Sequence, residues 1–335
     1  MDATARAKQV FFGYIQTQCV QAMLELGVPD ALAAGPRTAA ALAAELGAAA
    51  DPLARALDAL VCLGLFQRDA DGNYAHNAAS ECLRTDHENS MADLFGFCGR
   101  ESYRTFGNLT AAVRDNRPVF PDAWGQPFWQ HLRDNPERKA RFGRAMERQS
   151  EHLLQALVAQ FNFADLAKSG VPQIADIGGS KGQFFRPLAR AGVAFEGIVF
   201  DLPELAPLAE RFLADEKLDT CRFIAGDFFR AVPAGADLYV LKFVLHDWRD
   251  EEAIIILKTV RAAMKPGSRL MVIELLRGGD PSPWSHLSDM IMLTTFGAKE
   301  RTEAEYRGLL DAAGLRTRTC ARVAGAPPFL LASVD

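Results

Sequence analysis

From Gly170 onward the chain alternates short apolar runs with helical stretches, and this pattern restricts the possible folds most. QIADIG, FEGIVFD, CRFIAGD, ADLYVLKF and RLMVIEL are separated by segments such as GQFFRPLARAG and DEEAIIILKTVRAAMKPG. Continuous rather than alternating apolarity in the strands means burial on both faces, so the pattern predicts an α/β fold: a doubly wound, mostly parallel sheet from about residue 166 to 335. In such a sheet ligands bind beyond the carboxyl ends of the strands.

The N-terminal third is built differently. Apolar residues Phe11, Ile15, Cys19, Ala22, Met23 and Leu26 recur at helical spacing from Val10, which predicts a helix with a buried face ended by Gly27 and Pro29. Thr38 opens a second helix, Asp51 and Pro52 a third, and LFQRDADGNYAHN reads as a hairpin turning at Asp71-Gly72. Helix, helix and hairpin in this order resemble a winged helix. Its third helix lacks the cations a DNA reader needs: between Asp51 and Phe66 the one cation is Arg55, set against Asp51 and Asp58. The segment is therefore read as a packing or dimerisation unit over residues 1–95, followed by a helical linker over 96–165. Within that linker Pro118, Pro121 and Pro127 break the chain, and a long helix is expected from Pro136 to Phe161.

A formal charge of -5 argues against nucleic acid or an anionic membrane as partner. Six scattered cysteines without a Cys-x-x-Cys pair suggest neither a zinc site nor a disulfide framework, and no run of 18 apolar residues occurs. A reduced, cytoplasmic protein without a metal is expected.

The loop after the first strand, DIGGSKGQF (Asp176 to Phe184), is not a P-loop, because Lys181 precedes Gly182 and no Ser or Thr follows. It lacks the third glycine of a dinucleotide fingerprint. What remains is an acid, Asp176, before a tight turn of Gly178, Gly179 and Gly182, able to approach an uncharged ligand while the carboxylate binds a cationic amine. Asp201 ends the next strand, where a carboxylate accepts ribose hydroxyls. Asp227 ends the third, with Phe228 and Phe229 available to stack on an adenine face.

DIGGSKGQF, VFDLPE, AGDFF, LKFVLHDW and FGAKERTEAEY, in that order, resemble the successive motifs of S-adenosylmethionine-dependent small-molecule O-methyltransferases. These are the plant caffeate-type enzymes and the bacterial ones acting on aromatic natural products. The resemblance spans nearly the whole chain. It implies a class I, Rossmann-like methyltransferase sheet, a homodimer formed through the N-terminal domain, and S-adenosylmethionine as cofactor, with S-adenosylhomocysteine as product. It further implies that Gly178 meets the methionine portion, Asp201 the ribose, Asp227 and Phe228 the adenine, and that Lys242 contacts the cofactor. His246 matches the catalytic base, flanked by Glu274 and Glu300. Trp129, Phe142, Met146, Asp289, Met290 and Phe296 match positions lining the acceptor pocket.

That chemistry suits the residues. A phenol of pKa ~10 is a poor nucleophile until deprotonated, and an imidazole of pKa ~6.5 is a neutral base at pH 7. A carboxylate on its other nitrogen fixes the tautomer. Asp247 is read as a loop or capping residue. Relatives that catalyse hydroxylation, decarboxylation or a pericyclic step often lose the base, so intact His246, Glu274 and Glu300 count against that alternative; oxygen versus nitrogen as acceptor stays open. Three positions depart from the family pattern: Ser180 replaces a loop glycine, Gly297-Ala298-Lys299 replaces Gly-Gly-Lys, and Ala75-His76-Asn77 replaces Leu-Thr-Pro. Ser180 is a source of strain if the loop demands positive φ.

Overall fold

The five apolar runs form parallel strands in a computed structural model that describes residues 2–166, 170–278, 283–322 and 328–334. They are β1 (Gln173–Ile177), β2 (Glu196–Asp201), β3 (Cys221–Ala225), β4 (Leu238–Lys242) and β5 (Arg269–Ile273). Two strands not foreseen, β6 (Arg316–Ala321) and β7 (Phe329–Ser333), complete a seven-stranded sheet of order β3-β2-β1-β4-β5-β7-β6. The first five run parallel, and β7 is antiparallel to both β5 and β6. This is the doubly wound, mostly parallel sheet predicted, with an antiparallel edge.

Alternate side chains of each strand enter opposite cores, as the period of two requires. Ala175, Ile177, Tyr239, Leu241, Leu270 and Val272 pack with helices Asp250–Ala263 and Glu303–Ala312 on one face. Ile174, Val199, Leu238, Val240 and Met271 pack on the other, against Phe184, Phe185, Leu188 and Phe212. The sequence RTRTCA gave no apolar signal for β6 because it is the outermost strand and leaves much of its length in water.

The chain divides into two compact units, Met1–Gly107 with Trp129–Arg148, and Asn108–Phe128 with Gln149–Asp335. Residues 96–165, expected as one linker, are shared between them. The long helix runs Pro136–Gln160 and contributes to both.

In the first unit Thr38 caps helix Ala39–Leu46 by accepting from the Ala41 N–H, and helix Ala50–Cys62 buries Leu53, Leu57 and Leu60. Strands Gln67–Arg68 and Asn73–Ala75 form the hairpin, and Arg37–Thr38 adds a third short strand. Arg55 lies 3.8 Å from Asp51, which offsets the helix's one positive charge. At the departure after the hairpin, Asn77 accepts from the N–H groups of Ala79 and Ser80 and donates to the carbonyls of Gly64 and Phe66, so it serves as a helix cap and a brace.

The first helix differs from expectation. It is two helices, Ala3–Phe11 and Gly13–Leu26, joined at Phe12. Met23 is buried, whereas Phe11 is 72% and Ile15 47% exposed, so the apolar stripe is only partly covered within one chain. Among the described residues no helix is long and apolar enough to cross a membrane.

Leu57 has no exposed surface and sits in the centre of the N-terminal core. Leu57→Ala is expected to cost about 2–5 kcal/mol, measured as a lower urea midpoint.

Candidate active site

The loop after β1 is held by its neighbouring strand. The N–H groups of Gly178 and Gly179 both donate to the carbonyl of Phe200, at 2.9 and 3.2 Å. Asp201, at the end of β2, accepts from the Ser180 N–H at 2.8 Å and from the Leu202 N–H at 2.7 Å. Burial raises the Asp201 pKa and those two N–H groups oppose the rise. Gly182 has φ +91°, and a Cβ there would stand 2.7 Å from Val199 Cγ2, so no other residue fits without displacing β2. Ser180 adopts φ +54°, the left-handed conformation that makes serine strained at this position.

Asp176, near the end of β1, is 2% exposed. Burial pushes its pKa up to about 7; Lys242, at the end of neighbouring β4, pulls it down, and Asp201 adds to the rise. Lys242 is itself lowered by burial, against the carboxylates of Asp176 and Glu274, and its Nζ donates to Ser150 Oγ at 2.9 Å. Asp227, after β3, accepts from the Phe229 N–H, and Phe228 packs against Phe229 and Trp248. A Cβ on Gly178 would come 3.8 Å from Phe228, so the first loop and the third strand end adjoin. A buried carboxylate whose ionisation is penalised is stabilised by a cation, and a carboxylate and an aromatic ring lie at the two following strand ends. This donor set fits a ligand with a cationic amine, a ribose and an adenine.

The turn after β4 carries the second half of the site. Phe243 takes φ +53°, an outlier for an aromatic residue, and its ring stacks on the His246 imidazole at 5.7 Å and 22°. Glu274, following β5 and fully buried, accepts from the N–H groups of Val244 and Leu245 through Oε1, at 3.1 and 2.8 Å. Its Oε2 stands 3.5 Å from His246 Nδ1, and Glu300 Oε1 stands 3.2 Å from the same nitrogen. Asp247 is more than a turn residue, since its Oδ1 lies 3.5 Å from His246 Nε2.

Three carboxylates therefore surround one imidazole. Burial alone would lower the His246 pKa, but Glu274, Asp247 and Glu300 outweigh it and push the value up to about 10. This corrects the expectation of an ordinary imidazole, neutral at pH 7. Burial raises the Glu274 carboxyl to about 7 and that of Asp247 to about 6, with His246 opposing both. His246, Glu274 and Glu300 also have donor atoms within 4.8 Å of one another, a spacing suited to a metal, but the imidazolium already supplies the positive charge that the carboxylates require.

Glu300 is braced in turn. Ser288 Oγ donates to its Oε1 at 2.7 Å, and its N–H donates to Asp289 Oδ1 at 2.9 Å. Arg277 donates to the other Asp289 oxygen at 2.9 Å. Both Asp289 oxygens thus serve the protein, and Ser288, which nothing in the sequence singled out, contacts Glu300 directly. Met290 and Phe296 lie half-buried on helix Trp284–Phe296 in the same unit, with Phe296 edge-on to Phe128 at 5.1 Å. Trp129, Phe142 and Met146 belong to the first unit, where Trp129 and Phe142 meet edge to face at 6.2 Å.

A mostly parallel sheet of this strand order with acidic groups at three successive strand ends is an arrangement suited to binding a nucleoside. Two family models name it further: an O-methyltransferase domain matches residues 106–316 and an O-methyltransferase dimerisation domain residues 8–86. The chain belongs to the O-methyltransferase family and is an S-adenosylmethionine-dependent methyltransferase. It is 34% identical to the mitomycin biosynthesis 6-O-methyltransferase of Streptomyces lavendulae over 94% of this chain and 89% of that protein. To the 2,7-dihydroxy-5-methyl-1-naphthoate 7-O-methyltransferase of Streptomyces carzinostaticus it is 36% identical, over 89% of each. Among solved structures it resembles an O-methyltransferase from neocarzinostatin biosynthesis in complex with S-adenosylhomocysteine and 1,4-dihydroxy-2-naphthoic acid. That likeness has a TM-score of 0.83, with 33% identity over 96% of each chain.

Because the Ser180 N–H rather than its side chain binds Asp201, Ser180→Gly keeps the contact and removes the strain. It is expected to raise stability by about 1 kcal/mol, seen as a higher denaturant midpoint.

Proposed function

We propose that this enzyme methylates a hydroxyl of an aromatic or polyketide-like metabolite, with His246 as the general base. The observation that carries this reading is the asymmetry of the imidazole: Nδ1 is hydrogen-bonded to Glu300 at 3.2 Å with Glu274 at 3.5 Å, whereas Nε2 faces only Asp247 Oδ1 at 3.5 Å and is the nitrogen proposed to take the acceptor's proton. The relatives support the acceptor class, since their names specify methylation of hydroxyl groups on a naphthoate and in mitomycin biosynthesis.

When bound, S-adenosylmethionine supplies a methyl group on a sulfonium, already activated for displacement. Asp176, Gly178, Gly179, Gly182 and Lys242 are assigned to its methionine portion, Asp201 to the ribose, and Asp227 with Phe228 to the adenine. The protein's remaining task is to present a deprotonated, aligned nucleophile. Proton transfer from a phenol of pKa ~10 to an ordinary imidazole of ~6.5 runs uphill by about 5 kcal/mol. The three carboxylates that raise its pKa make the neutral ring of His246 a stronger base than a free imidazole, which lowers the cost of that transfer. Glu300 and Glu274 fix the tautomer of the neutral ring, with its proton on Nδ1, and stabilise the imidazolium that forms. The consequence is that unliganded enzyme carries the proton at neutral pH, so one must leave before the acceptor can ionise.

Met290 and Phe296, in the same unit as His246, are proposed to face the acceptor. The part of Trp129, Phe142 and Met146 in acceptor binding rests on the family resemblance alone. Asp289 is reassigned to support Glu300, because it is buried, accepts the Glu300 N–H and is paired with Arg277, at 2.9 Å each. The exposed Val10, Phe11, Tyr14 and Ile15 of the first two helices, within or beside the dimerisation match, support a homodimer formed through this surface.

His246→Ala is expected to lower kcat roughly 10²-fold or more while the dissociation constant of S-adenosylmethionine stays within about threefold. Turnover of a phenolic acceptor panel with labelled cofactor, paired with calorimetry, measures both. An unchanged rate removes His246 from the mechanism.

The pH dependence follows from the sign of the shift. A base whose conjugate acid has been raised becomes available only as pH increases, so log kcat/KM is expected to keep climbing from pH 7 up to about 10 instead of levelling near 6.5. Glu300→Gln removes one of the charges that raise it, which should move that limb to lower pH.

A further inference from the structure

Arg301 is among the largest side chains with no exposed surface, and neither the cofactor nor the acceptor assignment uses it. Its Nη1 donates to the carbonyl of Leu245 at 2.8 Å and its Nη2 to the carbonyl of Trp248 at 2.7 Å. Those two carbonyls bracket His246 and Asp247. The guanidinium also donates from Nε and Nη2 to Asp250 Oδ1, at 2.9 and 2.8 Å, and lies over the Tyr306 ring at 5.7 Å. The fork geometry of arginine lets one rigid group hold both ends of a short turn, which a lysine cannot do.

The backbone of Arg301 is fixed as well. It forms a parallel bridge with Leu276, and its carbonyl accepts from the Arg277 N–H at 3.0 Å. Leu276 is two residues beyond Glu274 and Arg301 one beyond Glu300, so the same pairing brings both carboxylates to one ring nitrogen, His246 Nδ1. Asp250 pairs with the guanidinium at 2.8 Å and with Lys299 at 3.2 Å, and the arginine's contacts to the turn itself are to its carbonyls, so its effect on His246 is one of placement.

We propose that Arg301 is the positioning residue of the general base. By holding the carbonyls on both sides of His246, it keeps the turn in the conformation that directs Nδ1 to Glu274 and Glu300 and Nε2 to the side of Asp247, where the acceptor is proposed to meet it. From the other side, Glu274 holds the N–H groups of Val244 and Leu245. The turn is therefore clamped by a carboxylate on its donors and a guanidinium on its acceptors. This inference rests on the reading of His246 as base.

The test uses full-length Arg301→Met, which keeps bulk but loses the donors, together with Arg301→Lys, Arg301→Ala and His246→Ala. For Arg301→Met, kcat should fall roughly 10²-fold, with acceptor KM and the dissociation constant of S-adenosylmethionine nearly unchanged. Millimolar guanidinium, but not ammonium, should restore part of the Arg301→Ala rate. Arg301→Lys, the variant least disturbing to folding, should lose about tenfold because it reaches one carbonyl at a time. If Arg301→Met or Arg301→Lys turns over like wild type while His246→Ala is inactive, the inference is overturned and the base assignment stands. If His246→Ala keeps its rate, the base assignment fails and takes this inference with it. Parallel loss of thermal stability, cofactor binding and kcat, without rescue by guanidinium, would reduce Arg301 to a folding role and also overturn it.

Discussion

One buried carboxylate, Glu274, joins the two halves of the catalytic unit's chemistry. One oxygen satisfies the N–H groups that the chain must leave open as it turns away from β4, and the other faces the imidazole that the turn presents. A fully buried acid is costly unless hydrogen bonds and an opposite charge meet it. Here the turn supplies the bonds and His246 the charge. Removing Glu274 would release both, so the shape of the turn and the basicity of its histidine are parts of one arrangement. Strain at Phe243 belongs to the same arrangement, since the left-handed backbone there accompanies an aromatic ring stacked on the imidazole.

The cofactor half uses the same economy of parts. Asp201 braces the first loop through the Ser180 N–H and is also the group assigned to a ribose, so loop shape and ligand contact share one side chain. Lys242 and Asp176, both buried at neighbouring strand ends, moderate each other's ionisation, and Ser150 from the long helix gives the lysine a neutral acceptor.

Much of this was legible in the residues because burial on both faces leaves a continuous apolar signature, which β7 (FLLAS) shares with the strands read from it although it was not among those foreseen. The sixth strand does not share it, because an outermost polar strand such as RTRTCA looks like a loop. His246, Glu274 and Glu300 could be named from motif order. The basicity of the histidine could not, because it depends on three carboxylates reaching one ring from three places in the chain, and Asp247 looked like an ordinary turn residue. Ser288 and Arg301 were silent for a related reason: a serine within an apolar helix and an arginine after a glutamate give no sign of what they touch. The apolar stripe on the first helices was read correctly as a pattern but only partly covered in the single chain, because periodicity says that a face avoids water without saying what covers it.

The polar outermost strand has a meaning beyond the difficulty it gave. An edge strand offers a row of unpaired peptide groups on which another sheet can grow, and long, flat, apolar edges invite stacking of one molecule on the next. In β6, Arg316 and Arg318 fall on alternate positions and stay in water, and the register slips between Leu331 and Ala332 of its partner β7. Two like charges along a kinked border repel the same border on another copy. The strand that hides the fold from a reader of the sequence thus also carries, at its own edge, the polar features that disfavour pairing with another sheet.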